Sequence, residues 1–314
     1  MSKEQMEGYA LDLENAAKNG TDEVLETTTH ELYKNAERER LRGVVPISKH
    51  VNDPCLKNFV PVDIFKESYI PRGYRGKDMK KLISIWSQLT VKLVGKQECS
   101  SDTEEKKAIK VCTGTVFKVD MHTIGTGDKT VCPCPGHKGD TPSKMVWWKV
   151  HVRTTRDFVE PKMDPKMFQF SKAYELKEYD KMVNVTLDCV NISPFKNGGK
   201  SCVLEFATHD VELGYLLREL CQQFQEFHRN VYEEYRANTD VNLTIIISYP
   251  HLLSEPRVSV GHWVHRAITD GRTWYMYTTP TCPGSAGAMV YRVGQELGDD
   301  VHVGVASDGL GFSG

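Results

Sequence analysis

The sequence contains no run of 18 apolar residues, which excludes a hydrophobic membrane-spanning helix. It also has little net charge. Its 40 Lys and Arg stand against 42 Asp and Glu, leaving −2, with a pI near 6.6. That balance points away from nucleic acid and from a membrane surface as partners. The first 20 residues, MSKEQMEGYALDLENAAKNG, lack the basic stretch and apolar core of a secretory leader. An intracellular, cytoplasmic setting is therefore expected. There the nine cysteines, an odd number, are expected as free thiols rather than a disulfide framework. The Asn-x-Ser/Thr triplets at Asn19, Asn184, Asn191 and Asn242 carry no weight in such a setting. No internal repeat is present.

What the chain does have is strand patterning around one helix. Residues 1–80 read as a polar helical segment followed by an extended, proline-punctuated one, with Pro46, Pro54, Pro61 and Pro71. Residues 81–209 read as a first β domain, with strands in LISIWSQLTVKLVG, KVCTGTVFKVD, MVWWKVHVRTT, KMVNVTLDCVNI and SCVLEFA. Between them HTIGTGDKTVCPCPGHKGDTPSK reads as a long loop. Residues 210–237 carry the helical pattern. Leu213, Leu217, Leu220, Phe224, Phe227 and Val231 recur at spacings of four and three, and Asp210 suits an N-cap. Residues 238–314 return to strands, in VNLTIIISYPH, RVSVGHWVH, TWYMYTT, GAMVYRV and DVHVGVAS.

The small-residue knot in TTPTCPGSAGAMVYR has the character of a turn that presents a nucleophile. Such a turn needs small residues because its backbone amides must approach a substrate carbonyl. Five pieces resemble the chymotrypsin-like serine proteases, in that family's order. They are CTGTVF (112–117), VWWKVHVRTTRDF (146–158), KSCVLEF (200–206), CPGSAGAMV (282–290) and VGVASDGLG (303–311). Together they cover roughly residues 90–314. The resemblance implies an all-β core of two antiparallel six-stranded barrels, with the helix inserted between them and an N-terminal helical extension. It also implies an interbarrel cleft that persists, lined by Ser307 and Gly309.

Two registers are open at the turn. If Ser285 is the nucleophile, the glycine amide that the family uses as an oxyanion donor falls on Pro283, which has no N–H. If Gly284 supplies that amide, Ser285 takes the place of the family's aspartate and Ala286 the place of its serine. In this second register the residue at the family's histidine position is Asp157 and that at its aspartate position is Lys200. The three triad positions then hold no imidazole, no acid to orient one, and no hydroxyl. Asp157 and Lys200 would suit an ion pair.

The resemblance therefore implies a catalytically inactive protease homologue that binds or scaffolds a protein or peptide, with no cofactor. An alternative is a serine endopeptidase using Ser285 with an unconventional base, His151 or His209; the plainer reading of both histidines is structural. A further alternative is a zinc-stabilised interaction domain, because Cys132, Cys134 and His137 form C-x-C-x2-H, with Cys112 as a possible fourth ligand. The plainer reading there is a loop with paired thiols. The apolar stripe of Leu213, Leu217, Leu220 and Phe224 either packs inside the chain or joins two copies.

Overall fold

In the computed structural model, the described residues are 54–99, 106–123, 132–133, 146–159, 164–176, 181–193, 199–238, 240–269, 272–306 and 309–314. The expected helices of residues 1–44 lie outside them, as do Cys134, His137 and Ser307.

A strap of short 3-10 turns comes first, interrupted by strand β1 (Val60–Pro61). Helix α1 (Lys77–Leu89) follows, where the sequence reading expected a strand. Met79, Leu82, Ile83, Trp86 and Leu89 are buried at spacings of three and four, a helical face that local alternation in LISIWSQL disguises. Strand β2 starts only at Thr90, whose hydroxyl donates to the Trp86 carbonyl at 2.9 Å and satisfies a helix-end acceptor.

Strands β2 (Thr90–Cys99), β3 (Lys106–Thr123), β4 (Val146–Thr155), β5 (Phe168–Leu176), β6 (Lys181–Ser193) and β7 (Ser201–Thr208) form a closed antiparallel barrel in the order β2-β3-β4-β7-β6-β5. Period-two alternation explains it. In β4, Trp148, Val150 and Val152 are buried while Lys149, His151 and Arg153 stay partly exposed. Leu93, Phe170, Leu204 and Phe206 supply more of the interior.

Helix α2 (Val211–Tyr235) begins at Asp210, whose carboxylate accepts from the Leu213 amide at 2.9 Å. The stripe of Leu213, Leu217, Leu220 and Phe224 is buried within the chain, and α2 packs on α1, β3 and β4. The helix approaches the barrel where it lacks a side chain: a Cβ on Gly214 would meet the Trp148 indole. No helix among the described residues is long and apolar enough to cross a membrane.

The second sheet holds β8 (Leu243–Ser248), β9 (Arg257–Thr269), β10 (Arg272–Tyr277), β11 (Val290–Arg292), β12 (His302–Val305) and β13 (Gly311–Ser313) in the order β11-β8-β9-β10-β13-β12. It is a half-barrel whose ends meet through an irregular seam. Met289 bridges Val301, Gly287 N–H donates to the His302 carbonyl at 2.8 Å, and His302 N–H donates to the Ala288 carbonyl at 2.8 Å. The strap is sewn to this sheet, with Val60 paired to Val258 and Leu56 and Phe59 packed on Cys282. One hydrophobic core runs through the barrel, both helices and the inner face of β8. A closed six-stranded barrel beside a half-barrel sheet, with two helices, is consistent with the chymotrypsin-like double barrel that the sequence motifs imply, although the second of the two expected six-stranded barrels is not closed.

Candidate functional site

The turn at 282–290 lies where the two barrels meet, and its shape is set by two glycines. Gly284 has φ +98° and Gly287 has φ +81°, values that favour residues without a Cβ. A Cβ at Gly284 would also meet the Tyr249 carbonyl, and one at Gly287 the Thr154 hydroxyl and the Thr113 carbonyl. Two tight turns follow from this conformation. Ser285 N–H donates to the Cys282 carbonyl at 2.9 Å, and Ala288 N–H donates to the Ser285 carbonyl at 3.0 Å.

Thr113 of β3 ties the turn to the first barrel. Its N–H donates to the Ala286 carbonyl at 2.9 Å and its hydroxyl donates to the Gly284 carbonyl at 2.7 Å. That hydroxyl also accepts from the Tyr249 amide at 3.0 Å. Thr154 of β4 donates its hydroxyl to the Thr113 carbonyl at 2.8 Å. Ala286 is consequently fully buried, and the open cleft expected from the resemblance does not reach it. Gly284, the residue considered as an oxyanion donor, is buried in this turn. Gly309, at φ +85°, lies in open space at the β12–β13 turn.

Among the described residues, the hydrogen bonds of the Ser285 hydroxyl run to another hydroxyl and a backbone amide, not to a base. Its side chain is fully buried, and its Oγ bonds Ser248 Oγ at 3.0 Å and accepts from the Cys282 amide at 3.2 Å. The two histidines considered as its base are engaged elsewhere. His151 Nε2 lies 2.9 Å from Asp120 Oδ2, with Nδ1 3.9 Å from Glu205 Oε1. His209 Nε2 lies 3.1 Å from Cys132 Sγ, and its Nδ1 lies 3.2 Å from the Val146 carbonyl.

Asp157 and Lys200 do come together. Asp157 sits in the 3-10 turn after β4, Lys200 immediately precedes β7, and Lys200 Nζ is 3.7 Å from Asp157 Oδ1. The backbones are tied as well, Arg156 N–H donating to the Lys200 carbonyl at 2.6 Å. Burial pushes the Asp157 carboxyl above its ordinary range, and the Lys200 ammonium only partly opposes this. The pair makes a polar contact between the end of β4 and the start of β7.

Sequence reasoning missed the surroundings of His151. Burial raises the cost of ionising Glu205, yet donors from Ser193 and Asn191, at 2.7 and 3.1 Å, and the Lys149 cation hold its pKa below the ordinary value. Period-two alternation brings His151 and Glu205 opposite each other across β4 and β7, a pairing readable only once the register is known. Cys112, considered as a zinc ligand, is instead fully buried against Thr154 Oγ1 at 3.3 Å, and burial pushes its thiol far up. A cavity of about 160 Å³ opens on the seam between the barrels and α2, lined by Phe117, Arg153, Phe224 and Met289. Asp157, Lys200 and Ala286 do not line it.

No protein-family model and no curated protein matches the sequence. Among solved structures the chain is similar to an HtrA-type protease, AlgW, described with a decapeptide. The TM-score is 0.40 at 10% identity, over 74% of this chain and 62% of that one. It is also similar to the Rv3671c protease from M. tuberculosis in its active form, with TM-score 0.38 at 12% identity, over 74% of this chain and 78% of that one. The chain thus spans less than two thirds of the first of these proteins. Likenesses this loose supply no residue-by-residue correspondence; the double-barrel architecture rests on the strand order itself.

Proposed function

We propose that the chain is a non-catalytic protein of the double-barrel protease fold that binds a protein or peptide partner. The observation carrying this reading is the turn around Ala286. A methyl group stands where the second register puts the nucleophile, it is sealed against Thr113, and the Asp157–Lys200 pair occupies the places of base and acid. Covalent catalysis at a hydroxyl needs an adjacent base within hydrogen-bond reach, and Ser285 has Ser248 and a backbone amide instead. Strand pairing with an extended peptide requires only backbone groups and no triad. None of the described cysteines, Cys112, Cys132, Cys189, Cys202, Cys221 and Cys282, is in a disulfide. That state supports an intracellular setting.

The test combines a serine-reactive fluorophosphonate with a broad peptide mixture read by mass spectrometry. The expected result is neither labelling nor cleavage, and none is gained by Ala286→Ser. Labelling of Ser285 that disappears in Ser285→Ala would overturn the proposal in favour of a serine hydrolase. Peptide capture is read separately, by selection on the immobilised full chain.

A further inference from the structure

The cavity on the seam between the barrels and α2 has no role in that reading. It measures about 160 Å³, close to an engineered apolar cavity of about 150 Å³ that admits benzene. Val116, Phe224, Met289 and Val301 give it an apolar wall. Cys221 adds a thiol that burial keeps protonated, its pKa pushed up to about 12. Leu297 also lines the cavity and is 41% exposed, which places it at the mouth. Two polar side chains line the same space, Thr115 and Arg153. They stand directly opposite each other across β3 and β4, and so share one face of the sheet. Thr115 is 5% exposed, and its Oγ1 is buried with no hydrogen-bond partner among the described residues. Folded proteins rarely leave a buried hydroxyl in that state.

The local backbone favours a site. The register between β3 and β4 slips at Phe117, and a bulge of this kind re-aims the side chain it carries. The Arg153 guanidinium carbon lies 4.4 Å from the Phe117 ring centroid. Its Nη2 pairs with Asp299 Oδ1 at 2.5 Å, and a longer contact of 3.5 Å runs from Nη1 to the Gly298 carbonyl. The Arg153 side chain is only 16% exposed, whereas that of Asp299 is 77% exposed and can swing into solvent. Burial disfavours the Arg153 cation, and Asp299 and Asp300 oppose that effect; the guanidinium stays charged. We propose that this cavity binds a small monocarboxylic acid with an apolar ring or branched tail of about six carbons. The tail fills the apolar space, and the carboxylate takes the place of Asp299 on Arg153 while accepting from the Thr115 hydroxyl. The site stands independently of what the triad positions do.

The test is calorimetric titration of the full chain with phenylacetate, and with toluene as the same ring without the charge. Phenylacetate should bind with a Kd of about 1 mM or tighter, within reach of a ligand of about ten heavy atoms. It should bind at least about tenfold tighter than toluene. Arg153→Met keeps an unbranched stem and removes the charge, so it should erase that preference and leave toluene binding in place. Thr115→Val should weaken phenylacetate and not toluene. Two variants sit at exposed side chains, where folding is not at stake. Asp299→Asn should tighten phenylacetate several-fold by releasing the guanidinium, and Leu297→Trp should block both compounds at the mouth. Folding of each variant is read by near-ultraviolet circular dichroism. A folded wild-type chain that binds neither compound at about 5 mM would overturn the proposal. So would equal affinity for the two, or phenylacetate binding that Asp299→Asn and Leu297→Trp leave unchanged.

Discussion

Gly287 and Thr113 decide, at the scale of single residues, how tightly the candidate site is closed. Alanine at position 287 would have to hold φ +81° while its Cβ displaces the Thr154 hydroxyl. A strained backbone of this kind costs about 1–3 kcal/mol before the overlap is counted. Gly287→Ala is therefore expected to lower the denaturant midpoint by more than an ordinary surface change does. Thr113→Val removes one hydroxyl that serves both the Gly284 carbonyl and the Tyr249 amide. Leaving those groups unpaired and buried is expected to cost about 2 kcal/mol or more, read as a loss of stability in urea.

The titrating residues give opposite signs. Burial of the His151 ring lowers its pKa below 6.5, outweighing Asp120 and Glu205. The neutral ring's contribution to stability is thus present above pH 6.5 and lost as the pH falls through the lower folded value. Glu205 acts in the same direction: its contribution is present above 4.5 and lost as the pH falls through its depressed folded pKa. Asp157 runs the other way. Its raised pKa favours the protonated form, so its contribution is present below 3.8 and lost as the pH rises through the folded value. Stability measured against pH should fall from pH 7 toward 4, and His151→Gln should flatten the upper part of that fall. An unchanged profile in His151→Gln would show that the ring is not the group responsible.

Elements differed sharply in how plainly the sequence displays them. Helix α2 was legible because 25 residues of stripe with an acidic cap leave no competing period. Helix α1 was not, because its 13 residues merge without a break into β2, and Ile83, Ser84 and Ile85 mimic alternation. The decisive signal was tertiary: α2 packs against α1, whose Met79, Leu82 and Trp86 are buried in the shared core. Gly214 gives an element-scale test in which two effects oppose. Alanine there should add about 1 kcal/mol of helix propensity. It would also drive a methyl into the Trp148 indole, and overpacking of this kind costs about 1–3 kcal/mol. The overlap should win, so Gly214→Ala is expected to destabilise and to alter the near-ultraviolet signal of Trp148.

Across the whole molecule, the two-barrel plan could be read from the order of five short motifs, because each names a strand next to a turn. The Asp157–Lys200 pair followed from that order alone. The Cys132–His209 contact did not, since its partners are 77 residues apart and meet only when β7 returns beside β4. Nor did the burial of Ala286, which depends on Thr113 bonding across the barrel junction. The shared core through both sheets and both helices makes a further prediction. Unfolding followed by tryptophan fluorescence and by far-ultraviolet circular dichroism should coincide in a single transition. Two separated transitions would show that the barrels hold together independently.

The pairing of Val60 with Val258 also bears on the order of assembly. A ribosome releases residue 60 long before it has made residue 258, so this early strand has no partner during most of synthesis. The first barrel can close in the meantime from neighbours in sequence, whereas the second sheet must recruit a segment from nearly 200 positions upstream. Loop closure over that distance is slow. The strap therefore works as a latch, and the last step of folding should be its docking beside Cys282, next to the turn that shapes the candidate site.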